Sequence, residues 1–164
     1  MIDADGSNRV RLTGNDAGET TPQWSPDGKR VLFASDLEGN WDIYVIGAAG
    51  TDQVRLTDHP GDDIMPIWSP DGTRIAFVSD RDGALDVFVM ALNGGDPERL
   101  TEDSGIWELS GMAWSPDGRS IAFGATRDRA AELYVISVAD GTETRLTTEP
   151  GVDTSPSWGP PSWR

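Results

Sequence analysis

Short apolar runs punctuate the chain at a regular interval, each bounded by glycine, proline or aspartate. Val31-Leu32-Phe33, Ile75-Ala76-Phe77 and Ile121-Ala122-Phe123 form one set, and Ile43-Tyr44-Val45, Val87-Phe88-Val89 and Leu133-Tyr134-Val135 form a second. Runs this short between turn formers predict buried strands, and no segment carries the helical period that would compete. Both alternate positions in these runs are apolar, so each strand is expected to be covered on two faces. The spacing is a repeat. Trp24, Trp68, Trp114 and Trp158 recur with steps of 44, 46 and 44, and Arg-Leu-Thr stands at 11–13, 55–57, 99–101 and 145–147.

After the first three tryptophans comes Ser-Pro-Asp-Gly, at 25–28, 69–72 and 115–118. Proline presets φ, aspartate bonds back to the backbone and glycine takes a positive φ, so the tetrapeptide predicts a hairpin turn from the Trp strand into the Phe strand. Residues 36–40 and 80–84 supply the next turn, and the Arg-Leu-Thr segment is a fourth, outer strand whose charges suit a sheet edge. Four short antiparallel strands in about 44 residues is the period of a β-propeller blade. The predicted fold is therefore all-β: a single partial β-propeller domain over 1–164, with repeats at approximately 9–52, 53–96, 97–142 and a partial one at 143–164. That makes three complete blades, an unmatched outer strand near 9–13 and an unmatched inner strand near 154–158. Met1–Gly6 reads as the end of a third strand and its turn, and Trp158-Gly-Pro-Pro-Ser lacks the hairpin chemistry of the other repeats.

The combination of Arg-Leu-Thr, an acidic-x-x-Pro-x-Trp-Ser-Pro-Asp-Gly segment, Ile-Ala-Phe and Asp-Ile-Tyr-Val resembles the TolB-type propeller repeat. That repeat is related to WD-repeat propellers but lacks their Trp-Asp signature, and the resemblance covers nearly the whole chain. It implies a six-bladed ring, ligand binding at the channel mouth, where TolB takes peptide segments, and a periplasmic location. The same blades precede serine peptidase domains, so the resemblance carries the fold further than the function.

Charge narrows the partners. The chain has 28 acidic and 13 basic residues, one of them a lysine (Lys29), and a formal net charge of −15. Such a surface repels phosphate, which excludes nucleic acid and favours cationic partners. With no cysteine there is no disulfide framework or thiolate metal site. The first residues show no signal-peptide pattern, and no apolar stretch approaches the roughly 18 residues of a membrane span.

Glu19, Asp63 and Asp153 each precede a repeat tryptophan by five residues; the third repeat has Leu109 there, with Glu108 beside it. At the mouth of a channel these carboxylates would form an acidic ring for Ca²⁺ or a basic peptide, the competing reading being solvated turn caps. Trp107 lies in a two-residue insertion of the same loop, as a binding hot spot or as packing over the next blade. Asp80-x-Asp82-Gly83 with Asp86 is part of a calcium-loop pattern, but its recurrence at a blade turn favours a structural role. His59 is the sole histidine and Gly-x-Ser-x-Gly is absent, so catalysis is not expected. The expectation is a non-catalytic protein-binding propeller using the channel mouth. The alternatives are the gating propeller of a serine peptidase and a ligand-free self-assembling fragment, natural or engineered. Open blade faces further predict a homodimer that builds one six-bladed ring.

Overall fold

In the computed structural model the described residues are 1–2, 4–102, 105–106, 111–127, 130–149 and 151–159. They form twelve strands and no helix. Blade 1 comprises β1 (Glu19–Trp24), β2 (Arg30–Ser35), β3 (Asp42–Gly47) and β4 (Val54–Arg55). Blade 2 comprises β5 (Asp63–Trp68), β6 (Arg74–Ser79), β7 (Asp86–Ala91) and β8 (Glu98–Arg99). Blade 3 comprises β9 (Met112–Trp114), β10 (Ser120–Arg127), β11 (Ala130–Ser137) and β12 (Glu143–Arg145). Each sheet pairs its strands antiparallel in chain order, the three-blade arc the repeat predicts.

The Ser-Pro-Asp-Gly turns close identically. Ser25 donates from Oγ to Asp27 Oδ1 at 2.6 Å and accepts from the Arg30 amide at 3.0 Å, and Ser69 and Ser115 repeat the pair of bonds. Gly28, Gly72 and Gly118 take φ of 68°, 69° and 67°, the left-handed position that only glycine fills without strain.

Side chains alternate between an aromatic face and a small aliphatic face of each blade. Phe33–Tyr44, Phe77–Phe88 and Phe123–Tyr134 are cross-strand stacked pairs with centroids 5.8, 5.9 and 5.7 Å apart. The aliphatic face of blade 1 (Leu32, Ala34, Ile43, Val45) packs on the aromatic face of blade 2, where Trp68, Phe77 and Phe88 sit. The same contact recurs between Ala76, Val78, Val87 and Val89 of blade 2 and Trp114, Phe123 and Tyr134 of blade 3. Two cation–π contacts pin these junctions: Arg30 lies 5.0 Å over Trp68 and Arg74 lies 5.0 Å over Trp114.

The terminal segments differ from expectation. Residues 9–13 form no strand, although Met1 and Val10 exchange backbone hydrogen bonds of 2.6 and 2.8 Å as a ladder pair would. Residues 154–158 form no strand either: each inner strand pairs with the second strand of its own blade, and the described residues hold no such strand for them. They nevertheless keep the repeat position: Trp158 Nε1 donates to Ala113 O at 3.0 Å, as Trp68 Nε1 donates to Gln23 O at 3.3 Å.

Candidate functional site

The inner strands break their pleat at one repeated point near their entry. Register shifts occur between Thr20 and Gln23 and between Ile64 and Ile67, which are bulges in β1 and β5. Thr21, Met65 and Ser155 take φ of 51°, 54° and 56°, and Gly111 takes 64°, at steps of 44, 46 and 44. A β-branched threonine at positive φ is strained, so this conformation is held by its surroundings.

Between blades 1 and 2 at that end lies a cleft of about 440 Å³. Thr20, Thr21, Ile64 and Met65 form its inner wall, and Trp41, Asp62, Asp80 and Leu85 come from the loops around it. Loop geometry fixes the two carboxylates. Asp62 Oδ1 accepts from the Trp41 amide at 3.0 Å, and Asp80 Oδ1 accepts from the Asp62 amide at 2.8 Å. The Thr21 hydroxyl is buried without a hydrogen-bond partner among the described residues. The sequence reading missed this group, and the sequence carries only part of the signal for it: Asp36 and Asp80 share an offset from Trp24 and Trp68, whereas Asp62 has Gly18 as its counterpart in the first repeat.

The predicted acidic positions are not brought together. Asp63 is fully buried, and both its oxygens accept from Arg81 Nη2 at 2.9 Å. Arg81 in turn lies over the Phe77 and Phe88 rings at 5.3 and 4.9 Å. Glu19 is exposed and has no ion pair among the described residues, since Leu37 occupies the position that Arg81 holds in blade 2. Asp153 is half-buried; its amide donates to Ala131 O at 2.9 Å, as the Asp63 amide does to Trp41 O at 2.7 Å. Arg127, the counterpart of Arg81 in blade 3, pairs with Glu143 and lies 4.4 Å over Tyr134. Trp107 and Glu108 fall outside the described residues.

No group of three His, Asp or Glu side chains among the described residues stands in a metal-holding arrangement, and Glu19, Asp63 and Asp153 are among those residues. The calcium-loop pattern is likewise dispersed. Asp80 caps a loop, Asp82 lies 3.7 Å from Arg99, and Asp86 binds Arg99 at 2.6 Å and the Thr101 hydroxyl at 2.7 Å. His59 Nδ1 accepts from the Gly61 amide at 3.0 Å, a turn contact.

The Arg-Leu-Thr segments have a role the sequence reading did not give them. In blade 1 Arg55 and Thr57 reach Asp42 at 2.6 and 3.4 Å, and Thr57 Oγ1 accepts from the Ile43 amide at 2.9 Å. Arg99, Thr101 and Asp86 repeat the cluster, as do Arg145, Thr147 and Glu132. Each is a clamp that ties the outer strand to a buried carboxylate at the head of the third strand. Burial pushes the Asp42 carboxyl above its ordinary range against the pull of Arg55, whereas the Thr147 hydroxyl holds Glu132 below its own.

The model of the TolB β-propeller domain matches residues 1–112. No curated protein matches the sequence. Among solved structures the chain is similar to TolB from Acinetobacter baumannii, at 24% identity and a TM-score of 0.78 over 94% of this chain and 38% of that one. A structure assigned as TolB from Agrobacterium tumefaciens is 26% identical, with a TM-score of 0.71 over 88% of this chain and 51% of that one. A puromycin-hydrolysing peptidase from Mycobacterium tuberculosis is 20% identical, with a TM-score of 0.67 over 88% of this chain and 23% of that one. The chain thus spans between about two fifths and one half of those two TolB chains.

Proposed function

Because the chain belongs to the TolB β-propeller family, we propose that it is a non-catalytic binding module that takes an extended protein segment at the entry end of its inner strands. The observation that carries this reading is the cleft between blades 1 and 2. There a repeated backbone distortion, an unpartnered buried hydroxyl at Thr21 and the Trp41 ring meet the carboxylates of Asp62 and Asp80. Such a cleft offers an aromatic wall for an apolar or aliphatic stem and two anionic acceptors for a basic or amide-bearing one. The net charge of −15 draws cationic segments toward it.

Panning a displayed library of short linear peptides, followed by titration of the selected peptides while intrinsic tryptophan fluorescence is read in the wild type and in Trp41→Phe, tests the proposal. Saturable binding is expected, enriched in Arg and Lys, weakened by Asp80→Asn and by Asp62→Asn and weakened by salt. No saturable change with any selected peptide overturns it. A second reading, a gating propeller beside a peptidase domain, is favoured by the likeness to the puromycin-hydrolysing enzyme. A gate passes peptides rather than retaining them, so selection of peptides with measurable residence favours the binding module.

A further inference from the structure

The two ends of the three-blade arc present opposite halves of one contact. Blade 1 keeps an aromatic face with no blade against it, formed by Val31, Phe33, Tyr44 and Ile46; these four are buried without a neighbouring sheet, with Leu12 packed on them, while Trp24 is 50% exposed where Trp68 of blade 2 is 8% exposed. Blade 3 keeps the small aliphatic face, Ala122, Gly124, Leu133 and Val135, the repeat counterparts of the residues that blades 1 and 2 press onto their neighbours.

Each of these faces meets a substitute from a terminal segment. On blade 1, Leu12 packs where Leu56 and Leu100 pack at the internal junctions, and a cavity of about 580 Å³ remains between residues 9–13 and Val31 and Phe33. On blade 3, Trp158 makes the backbone bond that Trp68 makes on blade 1. Leu146, the counterpart of Leu56 and Leu100, is 56% exposed.

We propose that these faces form a self-association surface whose occupant is a second copy of the chain, docked head to tail. Blade 3 of one copy, with Leu146, replaces residues 9–13 on blade 1 of the other. Trp24 of that other copy replaces Trp158 on blade 3 of the first. The match does not depend on chance complementarity, because the same pair of faces already packs twice within one chain. Two copies related by a twofold axis satisfy both faces of both chains at once. Two copies of the three-blade arc make six blades, within the about four to eight at which propellers close.

The test is mass in solution against concentration, by sedimentation or light scattering on the full chain. The wild type is expected to rise from 17.7 kDa toward twice that value. Trp24→Ser and Leu146→Asp are expected to weaken the dimer on the order of tenfold or more, as loss of an interface anchor does. Both positions are at least half exposed in the single chain, so the melt of the dilute monomer should be retained. Val54→Asp makes the charge change of Leu146→Asp at an exposed site outside both faces and should leave the dimer intact. Trp158→Ser removes the substitute and should tighten it. Added salt should also tighten it, by screening the repulsion of two acidic copies. A mass of 17.7 kDa at every concentration for both wild type and Trp158→Ser overturns the proposal. So does a dimer indifferent to Trp24→Ser and Leu146→Asp.

Discussion

Blades 1 and 2 are built from nearly the same repeat, yet they sit in different surroundings. Phe77 of blade 2 is sealed between two sheets, whereas Phe33 of blade 1 is covered on its outer side by Leu12 and a cavity. Asp63 of blade 2 is buried against Arg81, whereas Glu19 of blade 1 faces water opposite Leu37. A blade therefore inherits its strands from its own sequence and much of its stability from the next sheet, as in other repeat proteins.

The largest break in this comparison is expected from the core aromatics. Phe77→Ala should cost about 3–5 kcal/mol in chemical denaturation, the range for emptying a sealed aromatic site. Phe33→Ala should cost about half of that, because its site is already part cavity. Equal losses would show that the open face of blade 1 is covered in solution. Next, Arg81→Leu gives blade 2 the residue that blade 1 has and strands a buried Asp63, at about 3 kcal/mol. Adding Asp63→Leu should restore most of the loss; a double variant as unstable as the single would mean that Arg81 acts through its ring contacts instead. Smaller still, Trp68→Phe removes a hydrogen bond to Gln23 and weakens the Arg30 contact, at about 1 kcal/mol, while Trp24→Phe should leave the melting curve of the monomer unchanged.

The smallest effect should appear in both blades. The Ser69 hydroxyl and the Thr73 amide hold Asp71 down to about 2, and the Ser25 hydroxyl likewise lowers Asp27. A depressed folded-state pKa contributes stability that is complete above the ordinary value of 3.8 and fades as pH falls toward 2. Acid titration of stability should therefore flatten in that window in both Asp71→Asn and Asp27→Asn, and more in the former, because the Thr73 hydroxyl gives Asp71 a bond that Lys29 does not give Asp27. Equal flattening would show that the Thr73 hydroxyl adds nothing to the turn.

Where burial depends on neighbours, the sequence was hard to read. Strands, turns and their order were legible because Ser-Pro-Asp-Gly and the apolar runs are local signals that act within one hairpin. Glu19, Asp63 and Asp153 looked equivalent because they share an offset from tryptophan. What separates the first two is a residue eighteen positions on, Leu37 against Arg81. The clamps around Asp42, Asp86 and Glu132 were recoverable in principle, since each carboxylate precedes its arginine by thirteen residues. That interval spans a strand pair, which a reading of adjacent residues does not register. The positive φ at Thr21 and Met65 left no trace in residue type, because neither is a residue that favours it.

The clamps also set how a blade comes apart. β4 and β8 are each held to the sheet by two ladder positions, and the Leu56 and Leu100 amides add one bond apiece to Ile43 O and Val87 O. Most of what retains such a strand is thus concentrated in one arginine, one threonine and one carboxylate. An edge fastened at a single point is released as a unit, while the stacked aromatics behind it stay in place. Amide exchange in the outer strands should accordingly proceed through subglobal openings well below the global unfolding free energy. Each opening hydrates a carboxylate that the closed blade keeps dry, so the rate at which the rim of the arc breathes is tied to the desolvation of Asp42 or Asp86.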